Sequence, residues 1–117
     1  MKKILKKVLV LGGTGFVGRH VCEKLVRLNI CVTVPTRRRS NAQSIQSLPM
    51  LDVLEANIHD PAALAALVAG HDAVVNLIAI LHGDEPAFER AHVELPKKLA
   101  AACLQTGVKR IVHVSAL

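Results

Sequence analysis

Tyrosine and tryptophan are absent from this chain of 117 residues, and phenylalanine occurs only as Phe16 and Phe88. Proteins that bind single-stranded nucleic acid stack bases on aromatic platforms, so nucleic acid ranks last among possible partners despite a formal charge of +6. Cysteine is scarce too: Cys22, Cys31 and Cys103 are odd in number and lack CxxC spacing, which argues against a disulfide framework or a zinc site. A reducing, cytoplasmic compartment is the default. The six histidines include no HExxH-type spacing, so no metal site is expected.

Uninterrupted apolar runs of membrane-spanning length are missing as well. The longest apolar window, 62–81, contains His71, Asp72 and Asn76, which are costly in lipid, and a helix, a turn and a strand explain it better. The start "MKKILKKVLVLGG" places basic residues before an apolar run, yet that run is too short for a signal peptide and is broken by glycine. It reads as a basic lead into a buried strand.

What is present is apolar and basic. Hydrophobic residues make up 51% of the chain, enough for one globular core, and 15 Lys and Arg outnumber 9 Asp and Glu. Such a charge suits a phosphorylated ligand, an anionic membrane face or nucleic acid, and does not choose among them.

The apolar pattern alternates along the chain without repeats. Strands are expected at 7–11, 30–34, 51–54, 73–80 and 109–114. A helix over 16–28 has Val17, Val21, Leu25 and Leu28 on one face. Ser40 or Asn41 is placed to cap a short helix running to about residue 48. "DPAALAALVAG" has Asp60 as cap, Pro61 in the first turn and Gly70 at the end. A longer helix spans 86–106, where Pro96 predicts a kink or a late start near His92. Apolar strands separated by helices indicate an α/β Rossmann-type doubly wound parallel sheet, five strands in the order 3-2-1-4-5 with helices on both faces.

"LGGTGFVG", residues 11–18, joins the first strand to the first helix. Gly12, Gly15 and Gly18 form G-x-x-G-x-x-G, where absent side chains let the backbone turn sharply and approach a pyrophosphate favoured by the helix N-terminus. The alternative is a structural turn.

With these residues in view, "VLVLGGTGFVGRHVCEKL" resembles the start of the extended and atypical branches of the short-chain dehydrogenase/reductase superfamily, whose fingerprint is T-G-x-x-G-x-x-G. The likeness continues through "EANIHDPAAL", "HDAVVNLIAI" and "GVKRIVHVSAL", over all 117 residues. Within the superfamily it is strongest to proteins related to the nucleotide-binding accessory subunit of respiratory complex I, then to NmrA-like redox sensors. The resemblance implies that residues 1–117 are an NAD(P)-binding Rossmann domain, the N-terminal portion of an oxidoreductase or nucleoside-diphosphate-sugar epimerase-like protein. A non-catalytic accessory or sensor protein, peripherally associated with a respiratory complex, is the alternative.

The resemblance also assigns cofactor positions: Gly12, Thr14, Gly15, Phe16, Val17 and Gly18 form the phosphate turn. An acid at the end of the second strand suits NAD, whereas a basic residue suits the additional phosphate of NADP. This chain reads "VTVPTRRRS" there. Arg37 would then face the 2′-phosphate, with Arg38 or Arg19 as a second contact, since a guanidinium fork matches a phosphate dianion. NADP(H) is therefore preferred and NAD(H) remains possible; a solvated basic loop is the alternative. Asn57 and Ile58 stand where the superfamily often has Asp and an apolar residue beside the adenine, and Asp60 reads as a helix cap. Leu77, Ile78 and Ala79 match the segment passing the ribose and pyrophosphate, where Ile78 is bulky. Asn76 is either a ligand or a satisfied polar group at a strand end. His92 occupies a place where many relatives have Asn, and a structural hydrogen bond is the favoured reading.

Catalytic members of the superfamily use a Tyr-x-x-x-Lys pair beyond the fifth strand. This chain has no tyrosine, and Ala116 follows Ser115 where a second hydroxyl is usual, so no catalytic residue is assigned. Ending at an apolar strand predicts that further strands and the substrate-binding portion follow in a longer protein, and that an exposed sheet edge favours a homo-oligomer. The small-molecule substrate is not specified by these residues.

Overall fold

Strand β1 (Lys7–Leu11) alternates its side chains between two cores. Val8 and Val10 enter one and Leu9 and Leu11 the other, because successive strand residues point to opposite faces. In the computed structural model, which describes residues 6–78 and 93–114, β1 lies at the centre of a five-stranded sheet. The elements that follow are α1 (Phe16–Arg27), β2 (Cys31–Thr36), a 3-10 turn (Arg39–Ala42), β3 (Leu51–Glu55), α2 (Pro61–Val68), β4 (Ala73–Asn76), α3 (Leu95–Thr106) and β5 (Arg110–His113). The order is β3-β2-β1-β4-β5 and every pairing is parallel, as the apolar pattern predicts.

Two apolar layers enclose the sheet. On one face Cys22 of α1 packs with Ala42 and Ile45 against Val8, Val10, Val32 and Val34. On the other, Leu64 and Val68 of α2 and Leu95 and Leu99 of α3 cover Leu9, Leu11 and Val74. The edges depart from the expectation of strands apolar throughout. β3 exposes Asp52, Leu54 and Glu55, and all four residues of β5 are exposed, since an edge strand has a neighbour on one side only.

Two local expectations need correction. The buried seam of α1 runs through Gly18 and Cys22, while Val17 and Leu28 of the expected face are 55% and 62% exposed. The helix sits on the sheet through its smallest residues, which brings it close to the glycine turn. The capped helix expected from Ser40 or Asn41 is instead a 3-10 turn whose preceding residue, Arg38, makes no side-chain cap. Ile45 anchors the rest of that segment in the core, so tertiary burial replaces capping. The long helix 86–106 and the strand end at Ile80 fall partly outside the described residues. Within them α3 begins at Leu95, with Pro96 in its first turn, where a missing amide costs no hydrogen bond. Asp60 caps α2 as expected, its carboxylate accepting the Ala62 amide at 3.2 Å.

Candidate functional site

The carboxyl ends of β1, β2, β3 and β4 open into a cleft of about 340 Å³ lined by Gly12, Thr14, Pro35, Thr36, Arg37, Asn41, Ala56, Ile58, His59 and Ile78. In doubly wound sheets this is the end at which ligands bind. A smaller concavity of about 260 Å³ adjoins it, lined by Arg37, Ala56 and Asn57. A larger and mostly apolar groove of about 580 Å³ lies between α3 and β5, with Leu104, Val108 and Ile111 in its walls, and shares no residue with the glycine turn.

The four glycines of the turn meet different demands. Gly12 has φ +83°, and a Cβ there would come within 3.1 Å of the backbone of Leu77 and Ile78. Gly18 lies under the turn: a Cβ would strike the Gly12 carbonyl oxygen and sit 2.6 Å from Gly13 Cα. At Gly13, which the fingerprint spacing does not single out, a Cβ would come within 3.0 Å of Val34 and 3.2 Å of Cys22 Sγ. Gly15 differs. Its φ is −80°, and a Cβ would meet only the Gly12 carbonyl oxygen at 3.7 Å, an ordinary contact. Nothing among the described residues demands glycine at 15, and the bare backbone there faces open space.

The same turn leaves donors unused. Gly15 precedes α1 and offers no side-chain cap, and the amides of Phe16, Val17 and Gly18 meet no acceptor among the described residues. The first-turn amides of a helix carry its positive dipole end and suit an anion. Phe16 and Val17 expose 75% and 55% of their surface and do not line the cleft, so any contribution they make comes from the backbone.

The basic loop is held by short-range bonds. The Arg38 carbonyl accepts both Thr36 Oγ1 (3.1 Å) and the Asn41 amide (2.9 Å), and the fold places Arg37 and Asn41 on one wall. Arg37, Arg38 and Arg39 are exposed and pair with no carboxylate among the described residues. Arg38 does not line the cleft. Arg19 is half-buried, with Nε shielded from solvent and lacking a hydrogen-bond partner, while its guanidinium stands 5.9 Å from the Phe16 ring centroid.

Opposite, Asn57 Oδ1 accepts the His59 amide at 3.1 Å, so its carbonyl oxygen shapes the turn after β3. Ile58 reaches from the cleft into the α2/α3 core. Asn76 is fully buried and satisfied: Nδ2 bonds His113 Nδ1 at 3.1 Å, and Oδ1 accepts the Ile78 amide at 3.2 Å. It thereby fixes how the chain leaves β4 and keeps Ile78 beside Gly12. Leu77 packs into the α1 core and presents only backbone to the turn. Ala79 and His92 lie outside the described residues. Cys22 is fully buried beneath Gly13, and burial, aided by the Glu23 carboxylate, pushes its thiol up to about 11; it is a packing atom and not a nucleophile.

Pro35, Thr36, Asn41, Ala56 and His59 line the cleft without having been picked out in the sequence as site residues. For Asn41 the adjacent arginine run was the available clue. For His59 there was none, because its place depends on how β3 and α2 join.

Comparison with known proteins agrees with this architecture. The family model described as NAD dependent epimerase/dehydratase matches residues 8–116. The chain is 32% identical over 113 residues to NADH dehydrogenase [ubiquinone] 1 alpha subcomplex subunit 9, mitochondrial, of Rattus norvegicus, covering 92% of this chain and 30% of that protein. Among solved structures, uronate dehydrogenase from Agrobacterium tumefaciens, as a Y136A mutant complexed with NAD, superposes with a TM-score of 0.81 at 24% identity, covering 97% of this chain and 42% of that one. A double mutant of dTDP-glucose 4,6-dehydratase from Streptomyces venezuelae, with NAD bound, gives 0.76 at 30% identity, covering 93% and 39%. The chain spans about three-tenths of the length of the curated relatives it matches. With a glycine turn between β1 and α1 and a model matched across nearly its whole length, the chain belongs to the NAD dependent epimerase/dehydratase family.

Proposed function

We propose that residues 1–117 bind a nicotinamide dinucleotide, NADP(H) in preference to NAD(H), as the cofactor-binding portion of an oxidoreductase or epimerase-like protein. The observation that carries the reading is the cleft itself, where the glycine turn and an arginine with no carboxylate partner among the described residues line one opening. The residues fit such a cofactor on their own geometry: among the described residues three first-turn amides lack acceptors, and the open position at Gly15 leaves space for a phosphate.

The amides of Phe16, Val17 and Gly18 would hold the pyrophosphate, Arg37 the 2′-phosphate, and Ile58 the adenine. Asn57 would bond the adenine beside Ile58, and Arg38 or Arg19 would be the second contact of the 2′-phosphate. When bound, the nicotinamide supplies hydride transfer. Leu77 and Ile78 would border the path toward it, and Ala79 and His92, which lie outside the described residues, are assigned to that side by the family resemblance alone. No residue of this chain is given a proton-transfer role, and the substrate is left to the remainder of the protein.

A second reading, a non-catalytic accessory protein in which the dinucleotide stabilises or signals, is favoured by the likeness to the rat complex I subunit and by the bulk of Ile78 beside Gly12. It carries with it peripheral association with a respiratory complex. The unpaired thiols of Cys22, Cys31 and Cys103 support a reducing compartment such as the cytoplasm, and the exposed β5 edge supports self-association. No helix among the described residues is long and apolar enough to cross a membrane.

Calorimetric titration with NADPH and NADH tests the main reading. NADPH should bind tighter, and Arg37→Asp should remove the preference by weakening NADPH about tenfold to hundredfold, the worth of a charge-assisted contact. Equal affinities in the unmutated protein would refute the 2′-phosphate role of Arg37. Steady turnover of NADPH by the full-length protein with carbonyl substrates would exclude the accessory reading.

A further inference from the structure

We infer that Lys98, on α3, is a positioning residue for the cleft, holding in place the turn after β3 that forms one of its walls. The functional side of this inference rests on the dinucleotide reading above. Ala56, Ile58 and His59 of that turn all line the cleft, whereas no described residue of α3 does. The Lys98 ammonium nevertheless reaches this wall, donating to the His59 carbonyl oxygen at 2.9 Å across 39 residues of sequence.

Two further contacts show how the turn is held. Asn57 closes it locally, its side chain accepting the His59 amide and its carbonyl oxygen the Asp60 amide at 3.2 Å. Ile58 then packs against the core cluster to which Leu95 and Leu99 of α3 belong. Residues 95, 98 and 99 share one helix face by their spacing, so the face of α3 that enters this core also carries the charged bond to the turn. Apolar packing is non-directional and leaves the turn free to rotate about Ile58. A half-buried, charge-assisted hydrogen bond to a backbone carbonyl fixes its orientation, and with it the side of His59 that faces the cleft. Lys97, the neighbour in "LPKKLA", is exposed and makes no such bond, so the two lysines provide an internal control.

The test uses the whole chain and three variants: Lys98→Met, Lys98→Arg and Lys97→Met. Two readouts are taken, calorimetric affinity for NADPH and amide exchange of segment 56–60 in the unliganded protein. Lys98→Met should weaken NADPH about tenfold and speed exchange in 56–60. Lys98→Arg should restore both to within about twofold, and Lys97→Met should match the parent. Parental affinity in Lys98→Met, no recovery in Lys98→Arg, or an equal loss in Lys97→Met would each overturn the inference. Failure of the dinucleotide reading looks different: the unmutated protein would not bind NADPH. Exchange in 56–60 would then decide alone, with faster exchange in Lys98→Met supporting the clamp and unchanged exchange overturning it.

Discussion

The helices α1 and α2 both begin beside the cleft and solve the same problem in opposite ways. Every helix starts with amides that have no partner inside it. α2 spends its own residues on them: Pro61 removes one donor, and the Asp60 carboxylate accepts another from Ala62. α1 is preceded by Gly15, has no capping side chain and no acid in its first turn, and leaves the amides of Phe16, Val17 and Gly18 without acceptors among the described residues. The start of α2 is complete as a piece of folded protein. The start of α1, uncapped among the described residues, is suited to an anion.

This contrast can be broken at several points. The largest effect is expected at Gly18, where a methyl group would strike the Gly12 carbonyl oxygen and crowd Gly13. Gly18→Ala should cost about 3 kcal/mol in chemical denaturation, because the obstacle is backbone that cannot yield. Gly15→Val should separate binding from folding. The added side chain meets little protein, so the unfolding midpoint should stay near that of the parent, while NADPH affinity falls about a hundredfold or more. Retained affinity in this variant would show that the glycine turn is structural only.

Asp60→Ala should do the reverse on a smaller scale, lowering stability by about 1 kcal/mol with dinucleotide affinity unchanged. The smallest effect concerns pH, at the opposite end of the sheet. His71 bonds Thr33 at 2.9 Å, and burial, with help from the Lys7 cation, holds its pKa below the ordinary imidazole value. The unfolded chain therefore takes up the proton first. Stability from this site should be complete above about pH 6.5 and decline as the pH falls below it, and His71→Gln should flatten that slope in denaturation curves.

Much of this was legible along the chain, and the reasons are local. Asp60 and Pro61 announce a helix start because capping involves only neighbours. The doubly wound order follows from apolar strands alternating with helices. Segment 39–48 was misread because Ser40 and Asn41 resemble caps, whereas Ile45 pulls the segment into a core that local propensity does not describe. The face of α1 was misplaced for a related reason. Periodicity weighs apolar bulk, while the actual contact runs through Gly18 and Cys22, chosen for closeness.

By itself the sequence determined the parallel α/β sheet, the glycine turn between β1 and α1, and a basic end to β2. All of these are written in short-range pattern and residue type. Only the tertiary structure decided that Gly18 and Gly12 serve the protein's own packing while Gly15 does not, and that Asn41 and His59 share a cleft with Arg37. It also set Lys98 against the His59 carbonyl. These facts depend on distances between elements far apart in the chain, and such distances are fixed only when the two cores pack.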